Sequence, residues 1–202
     1  ATFNIKATGY TFRAGVANAT RTLSGNINLD SNVDFTISGV NNSILAVKGA
    51  IAGVLGSTDT NLFLSNTVGA VTLDLNNSAS INANVPITIT ASGSATSTTL
   101  SNAEAGSTIS SSITNNSSVP LTLASGSSGV LSAALTINGK ISGTQGVIFN
   151  AMPVGNFGRV QLGAANDYTG DTYFTGVAGA GKSTVFCLVK TTTDNAISTV
   201  SN

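Results

Sequence analysis

Histidine and tryptophan are absent from this 202-residue chain, and cysteine occurs once, at Cys187. Without histidine the Ser-His-Asp and Cys-His relays cannot be assembled, and the usual zinc sites lose a principal ligand. A single cysteine makes no internal disulfide, so no bridge framework points to a compartment. Cys187 sits among Phe186, Leu188 and Val189 with no base beside it. That setting suits an inert buried thiol better than a nucleophile. Charge is scarce as well: 8% of residues, eight bases against eight acids, where ordinary globular domains carry about 25%. Soluble monomers keep charge on their surfaces. A chain this neutral is expected to be covered by neighbours or to sit in a long fibre. The bases are dispersed and form no patch interleaved with aromatics, which argues against nucleic acid as a partner. The charge-poor stretches at 75–103 and 105–139 are full of Ser, Thr and Asn, whereas a membrane-spanning helix needs about 20 mostly apolar residues. The chain opens at Ala1 with neither an initiator Met nor a hydrophobic leader. It reads as a mature, exported form.

What remains is a texture. About twenty short apolar-alternating runs, many rich in Thr, are cut apart by Gly, Asn, Ser and Asp. Four share the triplet apolar-Thr-apolar: Val71-Thr72-Leu73, Ile87-Thr88-Ile89, Leu121-Thr122-Leu123 and Leu135-Thr136-Ile137. Residues i and i+2 of a strand share a face, so each triplet buries two side chains and turns a β-branched Thr outward. The spacing of about ten residues predicts an all-β chain, either a parallel β-solenoid (β-helix) or a β-sandwich or jelly-roll. The nearest helical candidate is Ala46–Leu55, weakened by Gly49, Gly53 and β-branched residues. The Ser/Thr-rich segments 91–99 and 115–118 read as loops or edge segments. No domain linker stands out. The organisation reads as an N-terminal strand over 1–14 followed by one β-rich body over 15–202.

Towards the C-terminus a motif emerges. Leu135-Thr-Ile-Asn-Gly-Lys-Ile-Ser-Gly143 is followed by Gly158-Arg-Val-Gln-Leu-Gly163, Ala165-Asn-Asp-Tyr-Thr-Gly170 and Asp171-Thr-Tyr-Phe174. This rhythm resembles the autotransporter-associated β-strand repeat of bacterial surface proteins. That repeat joins a strand ending in Leu-x-Gly to an Asn-x-Tyr-x-Gly-Gly-Thr turn. Asn166, Tyr168, Gly170 and Thr172 match the turn, and Asp171 replaces the second Gly. The likeness covers roughly residues 135–200. It implies a right-handed parallel solenoid displayed outside the cell.

Candidate chemistry is thin. Gly176-Val-Ala-Gly-Ala-Gly181-Lys182-Ser183 fits the phosphate-binding pattern GxxxxGK[ST], in which backbone amides and the Lys cradle phosphates. A strand-like run follows it instead of a helix, so a Gly/Ala turn is the better reading. The pairs Asp30/Asp34 and Asp167/Asp171 could serve a tail-spike-like glycosidase or a Ca²⁺ site, but turn-forming Asp explains them more simply. Five sequons, at Asn18, Asn41, Asn76, Asn115 and Asn116, are permissive of glycosylation only. The sequence therefore predicts no catalytic residue, no metal and no cofactor.

The N-terminus is more telling. Phe3, Ile5, Tyr10 and Phe12 alternate through Thr2–Phe12 with a break at Gly9. Such a strand joins its own sheet or adds to a neighbouring subunit. The expected function is a structural subunit of an extracellular filament or surface layer, whose partners are copies of itself. The alternative is an autotransporter adhesin passenger that meets host or neighbouring cell surfaces or glycans.

Overall fold

An aliphatic-Thr-aliphatic strand needs cover on one face only, and here the cover is the inner faces of two other sheets. The computed structural model describes residues 1–13, 17–53, 60–102, 106–126, 134–151, 158–175, 187–191 and 197. Among these are 21 strands and no helix. The first turn holds β1 (Thr2–Ile5), β2 (Tyr10–Arg13) and β3 (Thr20–Leu23), and the second β4 (Asn26–Leu29), β5 (Asp34–Gly39) and β6 (Ser43–Val47). The third holds β7 (Ala50–Gly53), β8 (Asn61–Asn66) and β9 (Val68–Leu75), and the fourth β10 (Ser80–Ile81), β11 (Ile87–Ile89) and β12 (Ser94–Asn102). The fifth holds β13 (Ser107–Ile109), β14 (Ile113–Asn115) and β15 (Leu121–Ser125), and the sixth β16 (Leu135–Ile137), β17 (Ile141–Gly143) and β18 (Val147–Ala151). Beyond it, β19 (Gly158–Leu162), β20 (Thr172–Thr175) and β21 (Cys187–Thr191) extend two of the sheets.

Each strand pairs in parallel with its counterpart in the next turn. Sheet A takes the first strand of every turn, sheet B the second and sheet C the third, giving sheets of 8, 6 and 7 strands. The fold is a three-sided parallel β-solenoid of about six turns. Partners lie between 23 residues apart (Thr98↔Leu121) and 30 (Ala50↔Ser80). The unit of repetition is thus three of the short runs that the sequence displays. The solenoid takes in the described residues before 127 as well, so the sandwich alternative is set aside.

Inward side chains stack in columns. Sheet A contributes Ile27, Ile51, Ile81, Ile109 and Ile137, all essentially without exposure. Sheet B contributes Phe35, Leu62, Ile87, Ile113 and Ile141, and sheet C Leu45, Leu73, Leu100, Leu123 and Phe149. Strands in a parallel sheet are about 4.8 Å apart, so like shapes in adjacent turns sit in van der Waals contact. The outward row of sheet B is the hydroxyl counterpart, with Thr36, Thr88, Thr114 and Ser142 in register and Phe63 interrupting it. Corners between sheets B and C need left-handed backbone. Asn18, Asn41 and Asn42 adopt φ of 57°, 44° and 62°, a region that Asn tolerates well. Gly69 follows at φ 68° with the Asn41 Cα only 2.9 Å from where a Cβ would lie.

One local expectation is corrected. Segment 91–99 is not a loop throughout, because Ser94–Asn102 forms β12 and pairs with both β9 and β15. Its Thr98 and Leu100 face inward, and the turns on either side impose strand geometry on a run of weak apolar content. The segment Ala46–Leu55, the weakened helical candidate, holds the end of β6 and all of β7, in line with the all-β expectation. Gly49 packs with its Cβ position 2.3 Å from the Gly25 carbonyl oxygen, a backbone approach that a helix could not make.

Candidate functional site

The four N-terminal residues singled out from the sequence come together on the first turn. Phe3 and Ile5 lie on β1 in register with Ile27 and Leu29, and Tyr10 and Phe12 lie on β2 in register with Phe35 and Ile37. They therefore head the inward columns. With no turn above them among the described residues, Phe3 is 41% exposed and Tyr10 57%, while Ile5 and Phe12 pack partly against the core. The terminal strand joins its own sheet through β4. β1, β2 and β3 are each the end strand of their sheet, so the outer edge of every one offers unpaired N–H and C=O groups.

Charge frames this end. Lys6, Arg13 and Arg21 are all exposed on the first turn, and no acid precedes Asp30 in the chain. Arg21 stands in the column that continues through Leu45, Leu73, Leu100, Leu123 and Phe149 to Phe174. At the far end of that column the Phe149 and Phe174 rings stack with centroids 5.3 Å apart. The cationic first turn was readable in the residues, since all three bases lie within 6–21 with no acid before Asp30, but taking the bases of the whole chain as dispersed passed over it.

The C-terminal turn motif also converges. Asn166 is buried and its Oδ1 accepts a hydrogen bond from the Ile141 backbone N–H at 2.6 Å. Asp167 N–H donates to the Ile141 carbonyl and Thr169 N–H to the Gly143 carbonyl. Residues 166–169 thus cover the last strand of sheet B without being a strand. Tyr168 is fully buried, and its hydroxyl lies 2.8 Å from the Thr172 hydroxyl. Gly170 is packed so that a Cβ would lie 2.2 Å from the Gly146 nitrogen. Asn166, Tyr168 and Gly170 thus hold the chain against the turn before it, and Thr172 opens β20.

The acidic pairs do not converge on shared sites. Asp30 accepts from the Ser31 N–H, and Asp34 accepts from Asn61 Nδ2. Asp167 pairs with Lys140, whose proximity, with a hydrogen bond from Ser142, holds its carboxyl below the usual carboxylate range. Asp171 accepts from the Tyr173 hydroxyl at 2.8 Å and so raises the phenol's pKa. Asp74 is a buried carboxylate that sequence reading passed over, bonded to Asn76 Nδ2 at 2.8 Å and Ser101 Oγ at 2.7 Å. Among the described residues no group of three or more acidic or cysteine side chains is arranged to hold a metal. The phosphate-loop pattern at 176–183 lies outside the described residues, and of Cys187 only the backbone in β21 is described. No described helix is long and apolar enough to cross a membrane.

No protein-family model matches the chain, and neither a curated protein nor a solved structure matches it. What fold and surface define is a class: a parallel β-solenoid of the kind suited to surface or structural repeat proteins.

Proposed function

We propose that the protein is a structural subunit of an extracellular, self-assembling surface filament or layer, in which another copy continues the solenoid at the first turn. One observation carries this reading. The first turn presents the heads of the core columns, Phe3, Ile5, Tyr10 and Phe12, beside three unpaired strand edges. A further turn laid in register would bury the exposed aromatics and satisfy the edge amides together, two favourable terms from a single contact. The charge pattern selects its direction. Two first turns facing each other would oppose Lys6, Arg13 and Arg21 to their own copies, which disfavours a head-to-head contact. Head-to-tail contacts of this kind are heterologous and propagate as fibres.

The resemblance of residues 135–200 to the autotransporter repeat supports export and display at the cell surface. It also supports the second reading, an adhesin passenger whose long faces meet cell-surface partners. Electron microscopy of the purified 202-residue chain separates the two. Filaments support the first reading; single rods at all concentrations support the second. Replacing Phe3 and Tyr10 by Asp leaves the folded body intact and abolishes filaments if the first turn is the contact.

A further inference from the structure

Side chains as well as backbone link successive turns of the solenoid, and several of these links point one way. Asn28 Nδ2 on β4 donates to Asn4 Oδ1 on β1 at 3.2 Å. At the corner between sheets B and C, Asn42 Nδ2 donates to Asn18 Oδ1, also at 3.2 Å. Deeper in the stack Asn61 Nδ2 donates to Asp34 Oδ1, and Ser101 Oγ to Asp74 Oδ1. In each of these bonds the donor belongs to the later turn and the acceptor to the earlier one. Asn side chains stacked on parallel, in-register strands form such ladders, each amide accepting on one side and donating on the other.

Asn4 and Asn18 stand at the open end of this pattern. Both are exposed on the first turn, with no earlier turn among the described residues. Their Oδ1 atoms are taken by the turn that follows, and their Nδ2 groups donate to nothing among the described residues. Amide donors thus join Lys6, Arg13 and Arg21, and no carboxylate side chain precedes Asp30. This end offers donors and positive charge, which suit a surface of oxygen acceptors.

Strand edges and inward columns occur on all three sides of the first turn. A second copy rotated about the axis by one side would therefore still meet an edge and a column on every side. The amides break this equivalence. Asn4 lies between Phe3 and Ile5 on sheet A, whereas the matching outward positions on β2 and β3 are Thr11 and Thr22. Asn18 lies at one corner alone.

We propose that Asn4 and Asn18 set the rotation of the incoming copy, donating from Nδ2 to oxygen acceptors on its last turn. The inference rests on the end-to-end reading above and adds to it the contacts that choose one orientation. A polar residue at an otherwise apolar contact selects one arrangement in the same way in coiled coils, where a single Asn fixes register.

The test is electron cryo-microscopy of filaments of the 202-residue chain. Asn4→Asp/Asn18→Asp keeps the acceptor oxygens that Asn28 and Asn42 use, replaces each free donor by an acceptor, and suits the left-handed backbone at 18. Thr2→Asp/Thr22→Asp, at exposed positions of the same turn, adds the same charge and is the control. Parent and control filaments are expected to show a single rotation per subunit. The Asn4→Asp/Asn18→Asp variant is expected to mix rotations that differ by one side. Its critical concentration should rise about tenfold, as for losing two hydrogen bonds of ordinary strength. Variant filaments with the parent's single rotation and critical concentration overturn this inference and leave the end-to-end reading standing. Parent filaments that already mix rotations, or a control that mixes them as the variant does, also overturn it alone. A parent that forms no filaments overturns the end-to-end reading and this inference with it.

Discussion

The first turn and the interior turns share one register but differ in environment. Leu73 lies between Leu45 and Leu100 in its column and is 1% exposed, whereas Phe3 heads its column among the described residues, with Ile27 on one side, and is 41% exposed. The same alternation produces a sealed core in one place and an open apolar surface in the other. Burial in a solenoid is thus a property of neighbouring turns, each turn completing the one beside it.

That contrast can be sharpened by substitution. Leu73→Ala is expected to cost about 2–5 kcal/mol, the range for deleting a fully packed aliphatic side chain. Phe3→Ala is expected to cost under about 1 kcal/mol in the dispersed subunit, as at other exposed positions. Urea unfolding measures both, and equal losses would mean that the first turn is already sealed. Gly170→Ala tests the close stacking of turns near the other end. Its Cβ would meet the Gly146 backbone, so the turns must separate, with an expected loss of about 2–3 kcal/mol by the same measurement.

The smallest effect belongs to the Lys140–Asp167 pair, which is about half exposed on both sides. Asp167→Asn should cost no more than about 1 kcal/mol at neutral pH. The folded state holds the Asp167 pKa below its ordinary value. Its contribution is therefore complete above the unfolded-state pKa and fades as pH falls through the lower, folded-state value. Parent and variant should converge in stability in acid, and a gap that widens there would refute the assignment.

Much of this architecture was legible in the residues. The aliphatic-Thr-aliphatic triplets mark strands of all three sheets. The Asn-x-Tyr-x-Gly-x-Thr turn was also legible, since Asn166, Tyr168, Gly170 and Thr172 each make a contact that their residue type explains. The winding was not. Turn lengths vary with the corner loops, which hides the repeat from fixed-period inspection. β12 was obscured because its Ser and Thr side chains become strand residues only between two flanking strands.

The most direct test of the central claim is electron microscopy of the parent chain and the Phe3→Asp/Tyr10→Asp variant at matched concentration. Filaments that lengthen along the solenoid axis in the parent, and folded single particles in the variant, are the predicted result. A parent that stays single, or a variant that assembles equally well, would contradict it.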